Sequence, residues 1–290
     1  MKKFIVDFIG IGAAKAGTTW LADCLAEHPE ICFSVMKETL FFCSPNQLIH
    51  NNIIRYNGKN IDLYGLFYNH CGKEKIKGEL SVHYLADPKV AARIKKHFPD
   101  VKIIAVLRNP VDRLISDYRY RKYTRKEEKK PLKDIIKKDE QLAMFGFYSE
   151  QLSRYYRLFP KENIKVVIYE EMAKKPLETI KSIYRFLGVD ASFVPRKTLE
   201  KKVNATRRVR LRFIMKLLNQ IRLILIRLHL SSFVNFLMNV GVQQTLEKLN
   251  YRRMEKEAVD EELRKKIFNF YKDDIKKVQK LLKKDLPYWK

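Results

Sequence analysis

The segment Phe4–Ile11 is largely apolar and runs directly into Gly12-Ala13-Ala14-Lys15-Ala16-Gly17-Thr18-Thr19-Trp20. Beyond that loop, Trp20, Leu21, Cys24 and Leu25 recur at helical spacing, so the stretch reads as buried strand, glycine loop and helix. A strand-to-helix turn of this kind leaves backbone N–H groups unpaired at the positive end of a helix, a ready seat for a phosphate or sulfate. Gly12 and Gly17 let the backbone approach an anion closely. Lys15 adds a charge, and Thr18 and Thr19 add hydroxyl donors. The competing reading is an ordinary turn with a chance lysine.

The spacing resembles a P-loop, G-x-x-x-x-G-K-[ST], with an informative departure. Thr18 stands where the P-loop lysine would be, and the lysine has moved into the loop as Lys15. A second buried strand, Val101 to Leu107, is a continuous apolar run that ends at Arg108-Asn109-Pro110. Asn109 reads as a helix N-cap and Pro110 as its first turn. Ligands of open α/β sheets sit outside the carboxyl ends of the strands. Arg108 is therefore expected at the same edge as the Gly12 loop, with Ser116 on the early helix as its partner around one phosphate. The strand ends without the acid that would hold Mg²⁺ in a P-loop NTPase. No metal is expected, and a P-loop nucleotide kinase or phosphotransferase becomes the weaker alternative.

The remaining pattern alternates strands and helices, which predicts an α/β fold with a mainly parallel sheet. Short strands are expected at Ile31–Val35 and Ile164–Tyr169, and helices from Asp87-Pro88 to about His97, over Gln151–Phe159 and over Pro176–Leu187 before Gly188. Lys77–Leu85 reads as a turn followed by a short strand, and 45–75 as an insertion of substrate-loop type. Glu38, beside Lys37 at a strand end near the anion loop, is a candidate general base, with a surface Lys–Glu pair as the alternative. His83 reads first as a structural histidine. Residues 121–138, with nine Lys or Arg and three acids, read as a solvated helix-loop region.

The chain has 290 residues and carries 59 Lys+Arg against 33 Asp+Glu, a formal charge of +26. Anionic partners follow from that excess: a nucleotide, an acidic polysaccharide, nucleic acid or anionic lipid. No helix-turn-helix, zinc-finger or RNP signature supports a specific nucleic-acid reader, so a non-catalytic polyanion binder rests on charge alone. Cys24, Cys32, Cys43 and Cys71 lack C-x-x-C or zinc spacing and read as free thiols in a reducing, cytoplasmic location. Met1-Lys2-Lys3 could imitate a signal peptide, but Asp7 interrupts the apolar run that follows. A helix is expected from Leu211 to Leu230, with Phe213, Ile214, Leu217, Leu218, Ile221, Ile224, Leu225 and Leu228 on one face. It either packs on the sheet or lies on anionic membrane, at the inner surface, near a lipid-linked acceptor. Amphipathic helices are expected over 246–290, with a stripe of Phe268, Tyr271, Ile275, Val278 and Leu282, and Trp289 tucked into the fold.

Taken together, Lys15-Ala16-Gly17-Thr18-Thr19-Trp20, Lys37-Glu38 before Phe41-Phe42, GELSVHYL, RNPVDRLISDY, Ile168-Tyr169-Glu170-Glu171 and Phe186-Leu187-Gly188 resemble the sulfotransferases that use PAPS, 3′-phosphoadenosine 5′-phosphosulfate. The likeness is to carbohydrate-type bacterial members and heparan sulfate sulfotransferases, and spans about Phe8 to Gly188 with echoes beyond. It implies one domain over 1–290, with a P-loop-like three-layer core to about residue 190 and a basic helical part from about 196. It implies that the loop binds the 5′-phosphosulfate, that Lys15 assists departure of the phosphate, and that Arg108 and Ser116 hold the 3′-phosphate. Glu38 would be the base, with His83 as a weaker second candidate by analogy with the cytosolic small-molecule enzymes. Arg207 or Arg208, in Asn204–Arg208, would contact PAPS. The acceptor would be a hydroxyl or amine of a glycan or glycolipid. Leu80 replaces the lysine of the heparan enzymes, and Val82 replaces a proline, so the substrate role of that lysine does not transfer.

Overall fold

The computed structural model describes residues 4–44, 54–125, 128–137, 140–198, 207–209, 212–239, 251–253 and 258–290. Five strands, β1 (Phe8–Gly12), β2 (Ile31–Phe33), β3 (Ile76–Leu80), β4 (Lys102–Leu107) and β5 (Ile164–Ile168), form one sheet in the order β2-β3-β1-β4-β5. Every neighbouring pair is parallel, as the alternation of strands and helices predicts. Strand β1 lies in the middle with all five residues buried, which is why its sequence is apolar without alternation. The carboxyl ends of β1 and its neighbour β4 therefore lie side by side, and the Gly12 loop and Arg108 leave from that shared edge.

Flanking helices include α1 (Thr18–Ala26), α2 (Val90–His97), α3 (Pro110–Arg119), α4 (Tyr148–Leu158), α5 (Tyr169–Lys174) and α6 (Pro176–Leu187). Helix α6 stops at Gly188 in the left-handed conformation, as its sequence predicts. The order of strand and turn around residue 78 is the reverse of the sequence expectation. Gly78 lies within β3, where a Cβ would come 2.3 Å from the Phe8 ring of the adjacent strand, so this glycine makes room for packing and does not mark a turn. The turn comes afterwards, at residues 82–86. Within 121–138, the backbone continues α3 as a π-helix over Tyr120–Arg125, and Thr124, Leu132 and Ile135 are buried, so that region is less solvated than its charge suggests.

The cysteine expectation also needs correcting. Cys32 and Cys71 form a disulfide with Cα atoms 5.7 Å apart, while Cys24 and Cys43 are free and buried. The pair meets because the Val35 amide donates to the Phe67 carbonyl and the Ile76 amide to Glu30, which folds 66–76 back along β2. The argument from four reduced thiols to the cytoplasm falls with it, since persistent disulfides belong to oxidising compartments. His70 brings a third ligand-type atom into this cluster, but both sulfurs are already bonded to each other.

In the C-terminal part, β6 (Arg207–Val209) pairs antiparallel with β7 (Tyr251–Arg253), a ribbon where the sequence suggests a cofactor-side loop at 204–208 and helix from 246. Helices α7 (Arg212–Arg227), α8 (Ser231–Asn239) and α9 (Glu261–Leu282) complete the described elements. Helix α9 buries Ile267, Tyr271, Ile275 and Val278, close to the predicted stripe. Trp289 is buried in the same apolar cluster as Phe8 and Ile9. Helix α7 packs differently from a core helix: Leu223 and Ile226 face inward, whereas Leu217, Leu218, Ile221, Ile224 and Leu228 of the predicted stripe are exposed. Among the described residues, no helix is long and apolar enough to cross a membrane.

Candidate active site

The loop after β1 is shaped by two left-handed residues, Lys15 at φ 67° and Gly17 at φ 80°. A Cβ at Gly17 would lie 2.8 Å from Met172 Cε and 2.9 Å from the Tyr169 ring, so packing as well as conformation requires glycine here. Gly17 is the N-cap of α1 and no side chain caps that helix, leaving its first-turn amides, at Thr18, Thr19 and Trp20, for an outside acceptor. Ala13 N–H anchors the loop to β4 through the Val106 carbonyl at 2.7 Å. The Lys15 ammonium rests 4.1 Å from the centre of the Tyr120 ring. Ala16 is buried beneath the loop. Trp20 donates from its indole to the Lys197 carbonyl at 3.3 Å, joining the start of α1 to the chain that leads toward residue 199.

Arg108 meets this loop directly. Its Nη1 donates to the Lys15 carbonyl at 3.0 Å and its guanidinium lies 4.8 Å over the Tyr169 ring. Its Nε is buried with no hydrogen-bond partner, an orphan donor beside the anion cradle. The backbone around Arg108 is held from three sides. Tyr148 donates its hydroxyl to the Arg108 carbonyl at 3.0 Å, and the Asn109 amide donates to Glu170 Oε1 at 2.9 Å. Glu170 Oε2 accepts from the Trp289 indole at 3.1 Å, and Asn109 Nδ2 donates to the Tyr288 carbonyl at 3.0 Å. Asn109 also caps α3 through the Val111 amide, as its sequence position predicts. Ser116 is half-buried further along α3, on the helix that Arg108 introduces.

Glu38 sits on a strap between β2 and the buried Phe41-Phe42 pair, at φ 65°. Its amide donates to the Leu80 carbonyl at 3.1 Å, and its Oε2 accepts the Val82 amide at 2.8 Å. A proline at position 82 would offer no such N–H. Glu38 Oε1 pairs with Lys37 Nζ at 3.0 Å, and the same ammonium donates to Thr19 Oγ1 at 3.1 Å. Lys37 thus ties the carboxylate to the anion loop, and both partners remain partly exposed to incoming molecules. The link from Lys37 to Thr19 exists only in the folded chain, so the sequence alone leaves a candidate base and a surface Lys–Glu pair as alternatives.

Glu79 has a different role. It is fully buried and accepts hydroxyls from Thr39 (2.6 Å), Ser81 (2.8 Å), Tyr64 (2.5 Å) and Tyr84 (2.9 Å). Burial raises its pKa above the usual carboxylate value, and those four hydrogen bonds oppose the rise. The network pins the strap that carries Glu38 to β3 through Thr39. His83 lies in the turn after β3, with its ring 5.6 Å from Phe145 in an edge-on contact. Of the expected cofactor-side loop, Asn204 to Thr206 lie outside the described residues. Arg207 and Arg208 contribute only their β6 backbone, since their side chains also lie outside the description.

An uncapped helix start with a lysine in its loop, an orphan arginine donor at the next strand and a carboxylate held by an ammonium bridge fit the sulfotransferase likeness. The sulfotransferase domain profile matches residues 6–212. The chain belongs to the sulfotransferase family. It is 33% identical over 125 residues to the membrane-associated sulfotransferase kil1 of Dictyostelium discoideum, covering 43% of this chain and 25% of that protein. It is 28% identical over 201 residues to human bifunctional heparan sulfate N-deacetylase/N-sulfotransferase 2, covering 63% of this chain and 22% of that protein. The sulfotransferase thus spans a quarter or less of those two longer relatives. A crystal structure of a sulfotransferase from Alicyclobacillus acidocaldarius shares its fold, with a TM-score of 0.70, 25% identity and 99% of each chain covered.

Proposed function

We propose that this sulfotransferase transfers a sulfuryl group from PAPS to a hydroxyl or amino group of a carbohydrate acceptor, carried on a glycan or glycolipid. The observation that carries the reading is the Lys37 ammonium, which bonds both Thr19 of the anion loop and Glu38 and so brings base and cradle within two hydrogen bonds. Residues at the site suit the donor: the α1 amides and Lys15 match its phosphosulfate, and the orphan Nε of Arg108 matches its 3′-phosphate, with Ser116 of α3 assigned to the same group by family likeness. Arg207 or Arg208 is assigned to the same donor by family likeness.

When bound, PAPS supplies the sulfuryl group and leaves as a bisphosphate. The protein's own part is positioning and electrostatics. Glu38 takes the proton from the attacking acceptor atom through a carboxylate oriented by the Val82 amide and Lys37. Lys15 and the loop amides stabilise the negative charge that grows on the departing phosphate. His83 is the second candidate base. Support for a carbohydrate acceptor comes from the human relative, named for heparan sulfate.

The test combines transfer of ³⁵S from labelled PAPS with calorimetric binding of the product, 3′-phosphoadenosine 5′-phosphate (PAP). Glu38→Gln is expected to keep PAP affinity while turnover falls by roughly 10²–10⁴-fold. Near-normal turnover in Glu38→Gln would remove it as the base and move attention to His83.

A further inference from the structure

The exposed apolar surface of the chain is unevenly spread. Leu217, Leu218, Ile221, Ile224 and Leu228 of α7 are exposed, and so are Leu230, Phe233 and Phe236 at and within α8. Leu228 and Phe236 are the most open of these, at 62% and 61%. Helices α7 and α8 are nonetheless docked, not loose. Leu223, Ile226 and Val234 are buried, Ser231 Oγ donates to the Leu66 carbonyl at 2.5 Å, and Arg222 bonds the Val35 carbonyl. The two helices therefore bury some apolar residues against the protein and expose others to their surroundings. An exposed apolar group of this kind marks an interaction surface.

Charge identifies what covers it. Among the described residues, α7 and α8 carry Arg212, Lys216, Arg222 and Arg227 and no Asp or Glu. A second copy of the chain, meeting face to face, would set this cationic segment against itself. An anionic bilayer instead accepts the leucines and phenylalanines at its acyl boundary and the cations at its headgroups. The position of the two helices ties this surface to the reaction. Arg222 donates to the carbonyl of Val35, three residues before Glu38, and the Val35 amide donates to the carbonyl of Phe67, next to Ser231's partner Leu66.

We propose that α7 and α8 dock the sulfotransferase on anionic membrane, and that the acceptor reaches Glu38 from that surface as a lipid-linked carbohydrate. The second clause rests on the proposed transfer reaction; the docking itself does not. The experiment uses the full chain and vesicles of phosphatidylcholine with or without phosphatidylglycerol. Wild type is expected to co-float with the anionic vesicles in about 0.1 M salt and to lose roughly tenfold or more of that binding on neutral vesicles or in about 1 M salt. The exposed double variant Leu228→Asp/Phe236→Asp should lose binding by at least roughly tenfold while its circular dichroism and PAP affinity match wild type. Absence of flotation by wild type, or flotation unchanged in the variant, would overturn the proposal. So would a dimer in sedimentation that the same substitutions dissociate without any vesicle binding. PAP affinity and ³⁵S transfer to a soluble acceptor report separately on the reaction, so failure of docking and failure of the proposed function are told apart.

Discussion

Trp289→Phe isolates one hydrogen bond far in sequence from the anion loop and close to it in space. The indole Nε1 donates to Glu170 Oε2 at 3.1 Å, and Glu170 Oε1 accepts the Asn109 amide, next to Arg108. A hydrogen bond to a charged group contributes about 1.5–3 kcal/mol, and the half-buried state of Glu170 trims this to about 1–2 kcal/mol. With a urea dependence of about 3 kcal/mol per molar, the midpoint should fall by about 0.5 M. Trp289→Ala adds the loss of a buried aromatic ring and should cost about 3–5 kcal/mol. A cycle with Glu170→Gln should give a coupling of about 1 kcal/mol, and PAP affinity should fall several-fold in each single variant as the Asn109 turn loosens. A midpoint unchanged in Trp289→Phe, or strictly additive single effects, would refute the idea that this bridge braces Arg108.

Three further outcomes follow from the geometry. Gly17→Ala forces a Cβ into the Tyr169–Met172 contact at positive φ; it should cost on the order of 1–2 kcal/mol and weaken PAP binding at least tenfold by calorimetry. Glu79 has a folded pKa raised above its ordinary 4.5, so its contribution to stability is fully present below that value and is lost as pH rises through the folded pKa. Urea midpoints from pH 4 upward should therefore decline more steeply in wild type than in Glu79→Gln; parallel curves would count against the assignment. Removing the disulfide by Cys32→Ser/Cys71→Ser opens a loop with a sequence separation of 39 and should cost about 2–4 kcal/mol, with PAP affinity unchanged.

The parts of the site that were legible in the sequence are those encoded by local pattern. A buried run, two glycines and a lysine announced the Gly12 loop, and the apolar run Val101–Leu107 followed by Asn109-Pro110 placed Arg108 at the same edge. Glu38 was visible as a residue type at a strand end. Its orientation was not, because that depends on the Val82 amide arriving from beyond β3 and on Lys37 reaching Thr19 of the loop. The same holds for Glu170, whose two oxygens serve Asn109 and Trp289, residues far apart in the chain. Cys32 and Cys71 carry no spacing signal, and their pairing follows from the way 66–76 folds along β2. The β6–β7 ribbon escaped notice because three arginine-rich residues a side show no alternation. On α7, periodicity marks out an apolar stripe but cannot say whether it faces core or solvent, and Leu217, Leu218, Ile221, Ile224 and Leu228 face solvent.

The central position of β1 makes the anion loop a non-modular device. Phe8 pairs with Gly78 on one side and Lys102 on the other, so both neighbours of this strand are supplied much later in the chain. Closing such distant parallel pairings precedes any reward from them, which makes the topology slow to assemble. The loop then takes its form only once β4 has arrived, because Val106 anchors Ala13 and Arg108 anchors Lys15. Transplanted alone into another scaffold, the Gly12–Trp20 segment would carry the recognisable letters without the cradle.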